Sequence, residues 1–263
     1  MFFLHPKCVL GSEEVLISLA LLLVAALYSS VGHGGASGYL AVLSLTSFAT
    51  MEEVWLKQHA WCLNLIVAAI AFHHYHRAGH HLPRLTVIFV TASVPFALIG
   101  GYMRVGGVLY DTLLSLTLVW ASVRLLGLGS EFDDGEVSHP TLRQAAPVGA
   151  GIGFVSGIVG IGGGIFLSPL MLLRRWAAPK TAAATAALFI WVNSVAGLVG
   201  SSVSGQLVVE PITLAPFAGA VLIGGVVGSK FGAEIAPQKT VRLVLVIVLL
   251  LAASRRIFEI AAL

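Results

Sequence analysis

Apolar residues run along the chain in ten blocks, at about 15–31, 36–50, 54–74, 85–102, 108–127, 145–159, 165–174, 181–203, 211–229 and 240–258, with short polar or glycine-bearing connections between them. About 20 apolar residues in a helix cross a hydrocarbon core of about 30 Å, so most of these blocks predict membrane-spanning helices. The block at 165–174 would rise only about 15 Å, half of that thickness, and predicts a half-helix or a re-entrant segment. One long polar run, GLGSEFDDGEVSHPTLR at 127–143, interrupts the pattern. It reads as a solvated linker, 129–143, between a first membrane repeat, 1–128, and a second, 144–263. Its adjacent acids, on a flexible loop, hold no fixed geometry and suggest no catalytic carboxylate pair.

The two repeats resemble each other. VGHGGASGYLAVLSL at 31–45 and VGIGGGIFLSPLMLL at 159–173 share Val31/Val159, Gly32/Gly160, Gly34/Gly162, Gly35/Gly163 and Leu45/Leu173 at a constant offset of 128. Leu56-Lys57 and Pro179-Lys180 open the third block of each repeat, and Gly79 and Gly205 mark the turns after those blocks. Five blocks per repeat is an odd number, so the second copy is expected upside down relative to the first. The expected fold is an all-α polytopic membrane protein of two inverted-topology repeats, each opening with glycine-interrupted or re-entrant helices. Transporters use this architecture and bind substrate where the interrupted helices of the two halves meet.

Composition agrees with a membrane protein and leaves no soluble domain over: 57% of the 263 residues are apolar, 10% are charged, and the mean hydropathy is +0.95. The first block follows Glu13 and Glu14 instead of a basic stretch, with no small-x-small cleavage pattern after it, and reads as a retained helix. The net charge of +3 forms no basic stripe, which removes a nucleic-acid partner. Cys8 and Cys62 give neither a disulfide framework nor a metal-ligand spacing. With alternating blocks, one side carries Arg77, Arg84, Arg124, Arg143, Arg174, Arg175, Lys180, Lys230, Lys239 and Arg242. The other carries Lys7, Lys57, Arg104, Arg255 and Arg256. The cation-rich side is expected to face the cytoplasm, with both termini outside a cell inner membrane.

The glycine breaks admit two readings. Small residues such as Gly160 and Gly164, spaced as GxxxG, let membrane helices touch closely. Alternatively, consecutive backbone N–H groups and the positive end of the following helix dipole hold an anion without a buried lysine. Duplication of the break favours the ligand. Ser37 is then expected to cap a helix beginning near Gly38, and Ser168 to cap one whose first residue is Pro169. A dinucleotide reading of the GxG pattern needs a βαβ unit that the sequence lacks. Gly35-Ala36-Ser37-Gly38 also resembles the rhomboid protease motif, whose serine needs a histidine base on a later helix. Few downstream histidines suit that role, one block alone precedes Ser37, and Ile165 stands at the matching place in the second copy.

Together, the duplicated VGHGGASGYLAVLSL and GIVGIGGGIFLSPLMLL, the latter followed by PKTAAATAALFIWVNSVAG, resemble the paired signatures of the TauE/SafE sulfite exporter family, or TSUP anion permeases. The first copy departs at His33, Ala36 and Ser37. The resemblance spans nearly the whole chain. It implies secondary transport of a sulfite-, sulfonate- or sulfoacetate-like anion, with no cofactor and no enzymatic activity.

The residues themselves also favour an anion over a cation, because membrane-embedded acids are scarce and donors plentiful. The candidate binding set is Gly32, His33, Gly34, Gly35, Ser37, Gln58, His59, Asn64, Gly160, Gly162, Gly163, Gly164, Thr185 and Asn193, with Ser194 a further donor. Lys57 and Lys180 either attract the anion or snorkel to the interface. Asn64 and Asn193 either meet the anion or bond helix to helix. His33 is an anion ligand, a proton-coupled switch or a neutral helix-end donor. Asp111 is expected to face a loop. HHYHRAGHH at 73–81 has His76 and His80 at metal-binding spacing, yet without cysteine or carboxylate partners it reads as a polar loop. The expected partners are a small anion, the lipid bilayer, a co-transported proton or sodium ion, and, as a candidate assembly, a second copy of the chain.

Overall fold

The computed structural model describes residues 12–43, 45–104 and 137–237, together with 112, 239, 240, 243, 244 and 247. The expected fifth block, most of the tenth, Asp111 and the acidic part of the linker lie outside the described residues.

Eight continuous α-helices are described: α1 Ser12–Ser29, α2 Ala36–Leu43, α3 Glu53–Arg77, α4 Pro83–Tyr102, α5 Leu142–Val159, α6 Gly164–Leu173, α7 Pro179–Val203 and α8 Pro211–Lys230. A 3₁₀ turn, Ser47–Thr50, precedes α3, and a π turn, Phe231–Ile235, extends α8. Among the described residues, six helices are long and apolar enough to cross a membrane. No strand occurs among the described residues.

Local sequence sets the helix ends. Pro83, Pro179 and Pro211 occupy first-turn positions, where a missing N–H costs nothing. Thr141 and Gln144 form a capping box at the start of α5, the Thr141 N–H donating to Gln144 Oε1 at 3.0 Å. At the other end of the helices, α3 and α7 close in the same way. Gly79 and Gly205 take left-handed conformations, φ 78° and 69°. The amides of His80 and Gln206 then reach back to the carbonyls of Tyr75 and Ser201, the bond of a Schellman cap.

Helices α1 and α5 both have 18 residues, α3 and α7 both 25, and α4 and α8 both 20. The long pair α3 and α7 lies at the centre, buried over most of its surface. Helix α5 runs beside α4 and α1 beside α8, each pair in close backbone contact through glycine. A Cβ at Gly149 or Gly153 would lie 2.7 or 2.5 Å from the Phe89 or Ser93 carbonyl of α4, and Gly224 and Gly228 meet Leu22 and Ala26 of α1 likewise. Packing without side chains between the backbones is how apolar helices gain contact where no hydrophobic effect drives them together.

The short helices make two re-entrant hairpins, the second at the block whose length predicted one. Helix α1 starts where Glu13 accepts from the Ser47 amide at 2.9 Å, and the chain beyond it reaches Ser30, whose carbonyl accepts from Tyr75 Oη near the opposite end of α3. Helix α2 then begins beside Asn64, half-way along α3, and returns toward Ser47. From the other end, α5 climbs to Gly160, which lies on Lys57 near the start of α3. Helix α6 begins against Ile190, half-way along α7, and returns to Trp176, whose ring lies 5.9 Å from Phe89. So 36–50 and 165–174 do not span; each goes half-way and comes back.

Candidate functional site

Both breaks use glycine because the backbone there is left-handed: φ is 75° at Gly32 and 98° at Gly35, and 88°, 73° and 83° at Gly160, Gly162 and Gly163. Side chains rarely adopt such angles. Space is equally tight. Gly32 lies on the Ala183 backbone of α7, and Gly160 lies on Lys57 of α3, so each break crosses the long helix of the other half.

The breaks meet at two side chains. A Cβ at Gly34 would run into the Asn64 carboxamide and lie 3.1 Å from Ile190 Cγ2. A Cβ at Gly162 would lie 2.8 Å from Ile190 Cγ2, 3.0 Å from Asn64 Nδ2 and 3.3 Å from Ser194 Oγ. Thus Gly34, Gly162, Asn64, Ile190 and Ser194 form one buried cluster, and the N-termini of α2 and α6 both point into it. Asn64 is entirely buried; its Oδ1 accepts the Ala36 N–H at 3.0 Å, capping α2, and its Nδ2 lies 3.5 Å from Ser194 Oγ.

The expected caps are corrected here. Ser37 is the second residue of α2, and its hydroxyl meets Tyr28 Oη at 3.1 Å while Asn64, from another helix, caps the half-helix. Ser168 and Pro169 lie inside α6, which starts five residues earlier than Pro169, at Gly164, directly after the left-handed Gly163. The reason is the same in both halves: the left-handed glycine re-aims the chain, so the helix begins at once and needs no local capping side chain. Gly160 and Gly164 accordingly do not form one GxxxG face. Gly160 ends α5, and Gly164 opens α6 against Ile190.

Other candidates stand apart from the cluster. Gln58 donates to the Gln206 carbonyl at 2.7 Å and accepts from the Val208 amide at 2.8 Å. His59 bonds the Trp55 carbonyl at 2.8 Å, accepts from the Glu210 amide at 3.2 Å and stacks on Trp55. Both pin the α7–α8 loop to the start of α3. Thr185 bonds Thr86 at 3.2 Å, near the opposite end, and Asn193 Oδ1 accepts from Ser93 Oγ at 2.8 Å, tying α7 to α4. His33 is 2% exposed; Nδ1 bonds the Val31 carbonyl, and the ring faces the backbone of Gly164, linking one break to the other.

Neither lysine snorkels. Lys57 is 2% exposed with Nζ 5.6 Å from the Trp61 ring centroid, and Lys180 donates to the Ala233 carbonyl at 3.0 Å. Nor are they equivalent: the matched helices align at an offset of 126, which places Lys180 opposite Val54. The histidine cluster lies at the Lys180 end, where His80 also bonds the Ala233 carbonyl (3.2 Å) and His81 bonds Thr86 (3.0 Å). No group of three potential metal ligands occurs among the described residues.

Sequence reasoning overlooked Ile190, Ser156, Tyr28 and Tyr39. The offset of 126 would have found the first, since it puts Ile190 at the place of Asn64. The other three carry no signal of their own and come beside the breaks only through folding.

The sulfite exporter TauE/SafE family model matches residues 17–256. The probable membrane transporter protein y4hK of Sinorhizobium fredii is 30% identical over 244 residues, covering 92% of this chain and 97% of its own. The probable membrane transporter protein YunE of Bacillus subtilis is 28% identical over 264 residues, covering 88% and 92%. No solved structure matches the chain. Two glycine-broken half-helices meeting inside a multi-pass helical bundle, in a chain that the family model matches over most of its length, make this protein a membrane transporter of the TauE/SafE sulfite exporter family.

Proposed function

We propose that the protein carries a small sulfur-containing or organic anion, of the sulfite, sulfonate or sulfoacetate class, across the cytoplasmic membrane by alternating access between two inverted repeats. The observation that supports it most is the meeting of two half-helix N-termini, at Ala36 and Gly164, in one buried cluster reached from opposite ends of the bundle. Both termini carry the positive end of a helix dipole, so their fields add where a negative guest would sit. Among the described residues, the nearest neighbours of Gly34 and Gly162 are Asn64, Ile190 and Ser194, none of them acidic.

The paired helix lengths and the equivalent contacts of α1 on α8 and α5 on α4 support inverted repeats. In this conformation the cluster is closed to both faces, since His33, Asn64, Asn193 and Ser194 are each at most 2% exposed. Closure on both sides fits an occluded step of a carrier, with rocking of one half against the other opening either side. A proton or sodium ion is the expected driving partner.

Counterflow in proteoliposomes tests the reading. Liposomes loaded with unlabelled sulfite or methanesulfonate are expected to accumulate the labelled anion transiently above its external concentration. A purely downhill flux with no overshoot would instead mark a channel, and no flux of any such anion would remove the substrate class.

A further inference from the structure

The two breaks are alike in sequence and unlike in bonding. At the first, three side chains close on the turn. Asn64 Oδ1 takes the Ala36 amide, the Tyr28 phenol meets Ser37 Oγ, and Tyr39 Oη donates to the Gly34 carbonyl at 2.6 Å. At the second, the residue matching Asn64 is Ile190, which lies against Gly162 and Gly164 and has no atom that can accept. Helix α6 has no side-chain cap, and among the described residues no hydrogen bond reaches the amides of Gly164 and Ile165, although both residues are buried.

Buried helix-end donors without acceptors are costly, and a structure normally satisfies them. Here an orphan side chain stands next to them as well. Ser156 Oγ is buried, has no partner, and is the nearest atom to the place a Gly163 Cβ would occupy. Ser168 Oγ, one turn into α6, is also buried and unpartnered. Both hydroxyls lie at the second break, whereas Tyr28, which stands at the place of Ser156 in the first, is bonded to Ser37.

Resting on the anion-carrier reading above, we infer that the two halves divide the work, with the anion held at the second break by the amides of Gly164 and Ile165 and the hydroxyl of Ser156. Asn64, Tyr28 and Tyr39 make the first break a fixed abutment. Several neutral donors converging on one point suit the oxygens of an SO₃ group, which accepts from all of them at once. On the other side, Ile190 and Phe189, the latter 2.9 Å from the Gly163 Cβ position, form an apolar wall against which the carbon substituent of a sulfonate would lie. The asymmetry also names Ile190 as the residue that keeps the amides available, because an asparagine there would cap α6 as Asn64 caps α2.

The test is a thermal-shift titration of the purified full-length chain with sodium sulfite and with sodium methanesulfonate, binding being read as anion-dependent stabilisation. Relative to wild type, Ser156→Ala is expected to need at least about 10-fold more anion for the same shift, the usual effect of losing one hydrogen bond to a charged group. Ile190→Asn is expected to weaken binding in the same direction while melting at or above the wild-type temperature without anion. Tyr28→Phe, which loosens only the first break, is expected to bind within about 3-fold of wild type. If wild type is stabilised but Ser156→Ala and Ile190→Asn bind as well as it does, or Tyr28→Phe loses as much as they do, the assignment is overturned and the carrier reading stands. If neither anion stabilises wild type, both fall.

Discussion

Asn64 is the residue on which the first break turns. Its carboxamide reaches across from α3 to bond the first amide of α2, 28 positions earlier in the chain, and fills the space that only a glycine at 34 leaves open. Asn64→Ala would leave the Ala36 N–H buried without an acceptor, which costs about 1–3 kcal/mol. Thermal unfolding of the purified variant should show that loss; an unchanged midpoint would mean that the cap contributes nothing. The glycines of the break were legible in the sequence, because four of them in an apolar run have no helical purpose. The partner of the break was not, since nothing local distinguishes an asparagine that caps from one that binds.

At the scale of elements, the ends of both long central helices hold loops of the second half. Gln58 and His59, at the start of α3, grip residues 206–210, and Lys180, at the start of α7, grips Ala233 beyond the end of α8. His80 joins Lys180 on that carbonyl. Burial holds its pKa below the ordinary histidine value, with the nearby Lys180 charge adding to the effect and the Ala233 bond opposing it; burial and then His76 do the same for His81. Between the lowered value and about 6.5 the unfolded chain therefore binds more protons at these two sites than the folded one. Stability is expected to be full above that window and to fall as the pH drops through it, and His80→Gln should flatten the dependence. Melting curves from pH 7.5 to 5 check this; a stability that rises on acidification would contradict it. Sequence periodicity located these helices to within a few residues, because twenty apolar positions in a row have few alternatives. It misplaced the half-helix starts, since a left-handed glycine ends one helix and begins the next without any cap in the local sequence.

For the molecule as a whole, the cations divide between its two ends. Arg77, Arg84, Arg143, Arg174, Arg175, Lys180 and Lys230 lie at the end where α3 finishes and α7 begins, while Lys57 and Arg104 lie at the other. We propose that the first end is cytoplasmic. In a chain with both native cysteines replaced by serine, Leu207→Cys should react with a membrane-impermeant maleimide added to intact cells. Ser138→Cys, on the segment whose amide bonds the Arg175 carbonyl at 3.0 Å, should react only after the membrane is opened. The reverse pattern would invert the assigned topology.

The sequence by itself determined that this chain lives in a membrane, that its helices are interrupted by glycine twice at one spacing, and that its motifs are those of one transporter family. Those properties are written in composition, in runs of apolar residues and in repeated letters, all of which are local. Only the tertiary structure decided that the short helices turn back half-way, that both breaks converge on Asn64 and Ile190, and that one is capped while the other is not. Such contacts join residues from 26 to more than 150 positions apart, and identical glycines acquire different roles from the side chain that the neighbouring long helix happens to bring.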